Sequence, residues 1–416
     1  MALLMPSGFA EEVRRFQFSA SEAIDGAAKV APDEVFSTQK GYGYLEKAGA
    51  DAKDPRRFAL QVPEGNYDIT LRLGSASEAT QTSVKAETRR LMLLGVATKP
   101  GEFVTRKFTV NVRRPEYGSG EKARLNGRET GPSMSPSWDE LLSFEFNGAQ
   151  PGVVTLQVEP NPAATTVFLA GDSTVTDQRN EPWAGWGQML PSFFEAGVAV
   201  SNQAESGLAL FSFSSQKRLE KILSMAKKGD YLFIQFGHND QKDKREGAGA
   251  FTTYKKELES YVTAFRGKGG IPVLVTPMER RRWKDGKPQE SLTDYAAAVR
   301  QVGKEMKVPV IDLHAMSLKL YTALGEKDST KAFVFYPANS FPNQKEELKD
   351  NTHHSTYGGY ELARCVVEGI KAEVPELGKR LRAEPGSFDP SQPDAPEKLA
   401  IPASPVRGEN ATPAGS

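Results

Sequence analysis

Four short stretches of the chain bring together the residue types that acyl transfer uses: Gly171-Asp172-Ser173-Thr174, Asn202-Gln203-Ala204-Glu205-Ser206-Gly207, Gly237-His238-Asn239-Asp240 and Asp350-Asn351-Thr352-His353-His354. A nucleophilic mechanism needs a hydroxyl, a base, a carboxylate to orient that base, and N–H donors for an oxyanion. Ser173 is the candidate nucleophile, although a serine capping a helix after a strand would look the same. The base must come from four histidines, His238, His314, His353 and His354. His314 lies in a run of helical character and reads as structural. Asp350, three residues before His353, could hold the ring Nδ1–H and fix the tautomer without a second loop; Asp-x-x-His also arises in structural settings. His354 competes, but its spacing from Asp350 aims it elsewhere. A zinc site on His353 and His354 is disfavoured because adjacent side chains diverge and no third ligand is indicated. Gly207 and Asn239 are the candidate donors, glycine by close backbone approach and asparagine through its amide. Each is also an ordinary turn residue, so the signal lies in the combination.

These stretches need a frame that gathers them. From Thr166 onward the apolar runs Val167–Ala170, Val198–Ser201, Tyr231–Phe236, Ile271–Val275 and Val308–Leu313 alternate with amphipathic segments near 187–196, 209–227, 254–266 and 293–307. Strands that are apolar throughout are covered on both faces, which predicts an α/β fold with a doubly wound parallel five-stranded sheet. Ligands of such sheets bind beyond the carboxyl ends of the strands, where the first three polar stretches lie. A last helix is predicted near 357–372. Upstream, Phe58, Leu60 and Val62 alternate with polar residues, Pro63-Glu64-Gly65-Asn66 supplies turn chemistry, and Tyr67, Ile69, Leu71 and Leu73 alternate again, which predicts a hairpin with one buried face. The pattern recurs at Phe108–Val112, Leu142–Phe146 and Val154–Val158, so this part is expected to be an all-β sandwich. Pro160-Asn161-Pro162 marks the change of period. The expected division is therefore 1–160 for the sandwich, 161–383 for the α/β unit, and 384–416 for a Pro/Ala/Ser-rich tail. That tail has too few large apolar residues to offset its ordering entropy and reads as disordered or as a linker.

The 416 residues include 53 Lys+Arg and 53 Asp+Glu, a balance that argues against a globally basic nucleic-acid binder. The single cysteine, Cys365, excludes an internal disulfide, and its neighbours Leu362-Ala363-Arg364 and Val366-Val367 mark it as core packing. No apolar run approaches the ~18–20 residues needed to span a bilayer. Met1–Ala10 places no basic residue before its apolar stretch and does not read as a signal peptide.

The order Gly-Asp-Ser, a glycine after the second strand, Gly-x-Asn-Asp after the third and Asp-x-x-His near the end resembles the SGNH (GDSL) hydrolase superfamily, and within it the rhamnogalacturonan acetylesterase group of carbohydrate esterases. Phe168–Val175, Gly185–Leu190, Gln235–Asp240 and Asp350–His353 are similar to that group's blocks. Lys40-Gly41-Tyr42-Gly43-Tyr44 resembles the β-sandwich, of galactose-binding-like form, that precedes the esterase unit in some members. The resemblance implies Ser173 as nucleophile, His353 as general base and then acid, and Asp350 as its orienting partner. It further implies an oxyanion hole built from the backbone N–H groups of Ser173 and Gly207 and the side chain of Asn239, with His238 at the substrate. The serine mechanism that the resemblance implies requires no metal and no cofactor. The family's second block commonly continues Gly-Arg-Ser, whereas here Gly207 is followed by Leu208-Ala209, so whatever that arginine does is absent. The implied activity is removal of acetyl groups from a plant cell-wall polysaccharide, rhamnogalacturonan foremost. Another acetylated glycan such as xylan, a lipid or a thioester are the alternatives, and an inactive glycan-binding protein is the alternative from another class. An acetylated polysaccharide or oligosaccharide would be the partner, with no nucleic acid, and the implied location is secreted or periplasmic. After the fourth strand, Glu279-Arg280-Arg281-Arg282-Trp283-Lys284 falls at the same sheet edge. Arginines there could grip a carboxylate of an acidic sugar chain and Trp283 could stack on a ring; a solvated charged loop is the alternative.

Overall fold

The computed structural model describes residues 12–19, 25–47, 55–130, 137–405 and 413–414. The Met1–Ala10 stretch discussed above lies outside the described residues. In the N-terminal half the alternating apolar positions build two five-stranded, mainly antiparallel sheets packed face to face. One runs in the order Ala28–Lys29, Arg14–Gln17, Val153–Pro160, Gly65–Gly74, Phe103–Val112, the other Tyr42–Tyr44, Arg57–Gln61, Leu141–Gln150, Thr80–Ala86, Arg90–Thr98. Phe58, Leu60, Ile69, Leu71, Phe108, Phe144 and Leu156 fill the space between them. The expected hairpin at Pro63–Asn66 does not form. Arg57–Gln61 pairs with Leu141–Gln150, whereas Gly65–Gly74 pairs with Phe103–Val112 and Val153–Pro160. The two strands therefore face each other across the core. Alternation fixes which side of a strand is buried, not which strand it bonds to, and an arch between sheets satisfies the same pattern as a hairpin.

From Thr165 the chain forms a parallel sheet whose order is second, first, third, fourth, fifth: Val198–Asn202, Thr165–Gly171, Tyr231–Gln235, Ile271–Val275, Val310–Ile311. Alternate residues of one strand enter different cores. Val167 and Leu169 pack with Leu362, Val366 and Ile370 of helix Thr356–Glu373, while Phe168 and Ala170 pack with Ile222, Leu258 and Val299 on the other face. That two-sided burial is why these strands lack polar alternation. The amphipathic segment at 209–227 is two helices, Leu210–Ser215 and Arg218–Met225, because Lys217 takes a left-handed conformation (φ 63°) between them. The segment at 187–196 gives one α-turn, Trp186–Met189, and a 3₁₀ turn, Leu190–Phe193. Among the described residues no helix is long and apolar enough to cross a membrane. Cys365 is fully buried.

The C-terminal segment up to Pro405 differs from the disordered linker expected of it. Phe388 is buried under the Arg364 guanidinium, Asp394 pairs with Arg364, and Leu399 and Ile401 pack on the core of the α/β unit. Ser404 then bonds to both halves: its N–H donates to Glu181 Oε1 (3.0 Å) and its hydroxyl to Glu145 Oε2 (2.7 Å). A few anchors spaced along a Pro-rich chain, whose unfolded state is already restricted, hold it without a hydrophobic run.

Candidate active site

The turn after the first parallel strand carries Ser173, and its shape follows from its neighbours. Asp172 Oδ1 accepts the Thr174 N–H (2.9 Å) and hydroxyl (2.8 Å), which folds the backbone back on itself. A Cβ on Gly171 would lie 2.5 Å from Val175, so the close return of the chain requires glycine there. Ser173 is 1% exposed and sits in this tight turn, not at the cap of a regular helix.

His353 reaches it from 180 residues away, with Nε2 2.8 Å from Ser173 Oγ and Nδ1 2.7 Å from Asp350 Oδ2. The local cause is an irregular strand. Leu348–Ser355 pairs with Phe333–Tyr336, but Phe333 lies opposite His354 and Val334 opposite Asp350. Asn351, Thr352 and His353 have no residue opposite them in that pairing, and a bulge of this kind re-aims side chains. Asp350 Oδ1 meanwhile accepts the N–H groups of Thr352 (2.8 Å) and His353 (2.9 Å). Burial pushes the Asp350 carboxyl up, but its bonds to His353 and to these N–H groups outweigh that and hold it below the usual carboxylate range.

Three N–H groups are expected to serve the oxyanion. Among the described residues neither the Ser173 N–H nor the Gly207 N–H has an acceptor, and Asn239 Nδ2 donates one hydrogen to Leu208 O (3.0 Å), leaving the other. Gly207 has φ +84°, in the left-handed region, and the Cβ it lacks would stand 3.1 Å from Cβ of Ala414, so the end of the chain borders this point. Asp240 clamps the third block to the helix beyond the second: its carboxylate accepts the N–H groups of Gly237 (3.0 Å) and Leu210 (3.0 Å).

The other expected site residues are distributed differently. His238 is fully buried with Nδ1 3.4 Å from Oδ2 of Asp172, the residue that precedes Ser173. Burial, only partly opposed by Asp172, lowers its pKa. His354 points away from the serine, bonds the Tyr321 hydroxyl (2.9 Å), and is held neutral by burial, with a pKa of about 3. His314 binds Glu279 (3.0 Å), a carboxylate that also accepts from Ser291 and Leu292; burial raises the Glu279 pKa, these bonds lower it, and the result is about 2. Of the arginine run, Arg280 is buried and donates to His238 O (3.1 Å), and Arg281 is tied to Ser329, Asn351 and Glu326. Arg282 is exposed, and Trp283 lies half-buried against the core. Among the described residues no group of three or more His, Cys, Asp or Glu is arranged to hold a metal ion.

Supporting residues come both from the stretches singled out above and, in Gln178 and Arg89, from outside them. Gln178 Nε2 donates to Ser173 O (2.6 Å), and Gln178 O in turn accepts from Gln188 (2.9 Å) and from Arg89 of the sandwich (2.9 Å). Trp186 donates to Gln235 (2.6 Å), which donates to Thr174 (2.8 Å). Polar residues of this kind are read as surface until the fold buries them. The arrangement as a whole can take a proton from a buried serine hydroxyl and stabilise negative charge on an oxygen beside it.

Comparison with known proteins agrees with that chemistry. A family model described as "GDSL-like Lipase/Acylhydrolase family" matches residues 169–337. Rhamnogalacturonan acetylesterase RhgT of Bacillus subtilis (strain 168) is 42% identical over 219 residues, covering 52% of this chain and 92% of that protein. "Probable rhamnogalacturonan acetylesterase YesY" of the same organism is 36% identical over 220 residues, 52% of this chain and 94% of that protein. "Uncharacterized esterase YxiM", also from that organism, is 24% identical over 388 residues, 87% of this chain and 91% of that protein.

Proposed function

Since the chain belongs to the GDSL-like lipase/acylhydrolase family and is a carboxylic ester hydrolase of that family's acetyl esterase type, we propose that it removes acetyl groups from an acidic plant cell-wall polysaccharide, most directly rhamnogalacturonan. The observation that carries the reading is the continuous line Asp350 Oδ2, His353, Ser173 Oγ, with links of 2.7 and 2.8 Å, set against unpaired N–H donors. In this reading His353 Nε2 takes the Ser173 proton as Oγ attacks the ester carbonyl. The carbonyl oxygen becomes an oxyanion among the N–H groups of Ser173, Gly207 and Asn239, and His353 then returns the proton to the departing sugar hydroxyl. Water, deprotonated by the same histidine, attacks the acetyl-serine; the acyl–Oγ bond breaks, His353 returns the proton to Ser173 Oγ, and acetate leaves. Asp350 holds Nδ1–H throughout, so that Nε2 is the free acceptor. The acidic substrate is supported by the 42% and 36% identical relatives and by the exposed Arg282 at the edge of the sheet that bears the site. A polymeric substrate of this kind is met outside the cytoplasm, which supports a secreted or periplasmic location.

Acetate release should be measured on acetylated rhamnogalacturonan, acetylated xylan and 4-nitrophenyl acetate, with Ser173→Ala as blank. The reading expects release from the first at the highest kcat/KM, none from the variant, and no effect of chelator. Equal or better turnover of xylan would move the substrate to another glycan. Full activity in Ser173→Ala would remove the serine mechanism.

A further inference from the structure

One donor of the oxyanion hole is held from the other half of the molecule. Arg128 lies in the helical turn Gly127–Thr130 of the N-terminal half, and its Nη2 donates to the carbonyl oxygen of Ser206 at 3.0 Å. That carbonyl and the Gly207 N–H belong to one planar peptide unit and point in opposite directions, so a bond that fixes the oxygen also fixes where the N–H points. Among the described residues no other donor reaches Ser206 O. The flanking groups are pinned by other means: Glu205 N–H donates to Gly171 O (3.2 Å), Leu208 N–H to Glu205 O (3.3 Å), and the Glu205 carboxylate meets Arg179 (2.9 Å). What they leave loose is the rotation of the Ser206–Gly207 peptide, which a glycine at φ +84° permits at low cost.

The turn that presents Arg128 is itself rigidly docked. The buried Glu129 carboxylate pairs with the buried Arg218 of the α/β unit and accepts the Asn126 N–H (2.8 Å), while Arg124 N–H donates to Gln216 O (2.8 Å). The Arg128 side chain is 44% exposed, so packing does not account for its conformation; its partners do, since it also lies 3.4 Å from the buried Glu205. We propose that Arg128 is a positioning residue for ester hydrolysis, holding the Ser206–Gly207 peptide with its N–H turned toward the oxyanion. This rests on the esterase reading above. A cationic donor on the carbonyl also polarises the peptide and strengthens its N–H as a donor.

The test compares the wild-type chain with Arg128→Met and Arg128→Lys on 4-nitrophenyl acetate, with the concentration of reactive serine titrated in each preparation. Phenylboronic acid, which forms a tetrahedral adduct on a serine, and acetate, which does not, serve as inhibitors. Arg128→Met is expected to lower kcat by roughly tenfold or more, toward the range seen when a hole donor is lost outright, with KM within about twofold. Boronate inhibition should weaken alongside kcat while acetate inhibition stays put, and Arg128→Lys should recover most of the loss. A merely structural role would lower the titrated serine or the thermal midpoint without changing kcat per site. Unchanged kcat and boronate affinity in Arg128→Met, or a rise in KM alone, overturns the inference while the esterase reading stands. If the wild type hydrolyses no acetyl ester, the esterase reading itself fails, and the positioning role with it.

Discussion

The hydrogen-bonded line Ser173, His353, Asp350 is short and nearly closed to water, with the first two residues 1% exposed. Residues that act as a unit lose almost everything when one is removed, so Ser173→Ala and His353→Ala should each lower kcat by on the order of 10⁴ or more. Circular dichroism and the thermal midpoint should show both variants folded. His354→Ala should behave in the opposite way. Its ring is wedged against Phe333 (centroids 4.5 Å apart) and bonds Tyr321, so removal leaves a cavity and a buried hydroxyl without a partner. We expect a loss of ~2–4 kcal/mol in denaturant unfolding, with kcat per folded molecule changed far less. A dead but stable His354→Ala would transfer the base to that residue.

Two short elements do the aiming. The bulge at Asn351–His353 turns the His353 ring to Ser173, and Gly207 sits in a left-handed turn whose N–H has no acceptor among the described residues. Gly207→Ala puts a side chain where φ is +84° and where Ala414 Cβ already stands 3.1 Å away, so the turn must relax. It should cost ~1–2 kcal/mol of stability and a larger share of kcat, since the donor moves with the turn. Wild-type kcat in Gly207→Ala would mean that this N–H is not part of the hole. The arginine element is narrower than its run of three charges suggests. Arg280 and Arg281 are spent on internal acceptors, which leaves Arg282. Arg282→Ala should raise KM on acidic polysaccharide by roughly fivefold, the modest worth of an exposed charge contact, and salt should mimic the change. A small neutral acetyl ester should be cleaved as before; equal effects on both substrates would count against an acidic partner at this loop.

At the scale of the whole molecule the sandwich braces the turn that carries Ser173. The connection between strands Thr80–Ala86 and Arg90–Thr98 enters the α/β unit, where Arg89 reaches Gln178 O and Glu181, and Arg90 meets Asp177 (2.6 Å) with both partners almost fully buried. Removing one member of a buried ion pair strands the other, so Arg90→Ala should destabilise the full chain by ~3–5 kcal/mol. A midpoint within a degree of the wild type would show that the halves stand independently. Glu181 links Arg89, Lys85 and the Ser404 N–H at the same junction. Burial raises its pKa, but Arg89, Lys85 and the Ser404 N–H lower it, and the net value is about 2. A depressed carboxyl contributes stability that is complete above its unfolded value near 4.5 and fades as pH falls toward 2, here by about 3 kcal/mol for 2.5 pH units. Unfolding curves between pH 5 and 2 should therefore flatten in Glu181→Gln. Ending the chain at Ala383 removes Ser404 as well and should lower stability even at neutral pH; no change would mean that the C-terminal segment merely lies on the surface.

The residue types and their order along the chain put forward Ser173, Asp350, His353, Gly207 and Asn239 as candidates, with the roles supplied by resemblance to a known family, and the fold brings the first three within hydrogen-bonding distance. The parallel sheet was legible too, since strands buried on both faces must be apolar throughout. Pairing was not: the Pro63–Asn66 connection has the turn residues of a hairpin, and only the opposing sheet decides that it is an arch. Nor could composition say that a Pro/Ala/Ser-rich tail would find Glu181, Glu145 and Arg364 to bind. The contacts of Arg128 with Ser206, 78 residues apart, and of Arg89 with Gln178, 89 apart, leave no local trace. Local sequence sets which groups are available and which faces are apolar. Long-range packing alone sets which of those groups meet, because the free energy that joins them comes from surfaces that neither segment displays by itself.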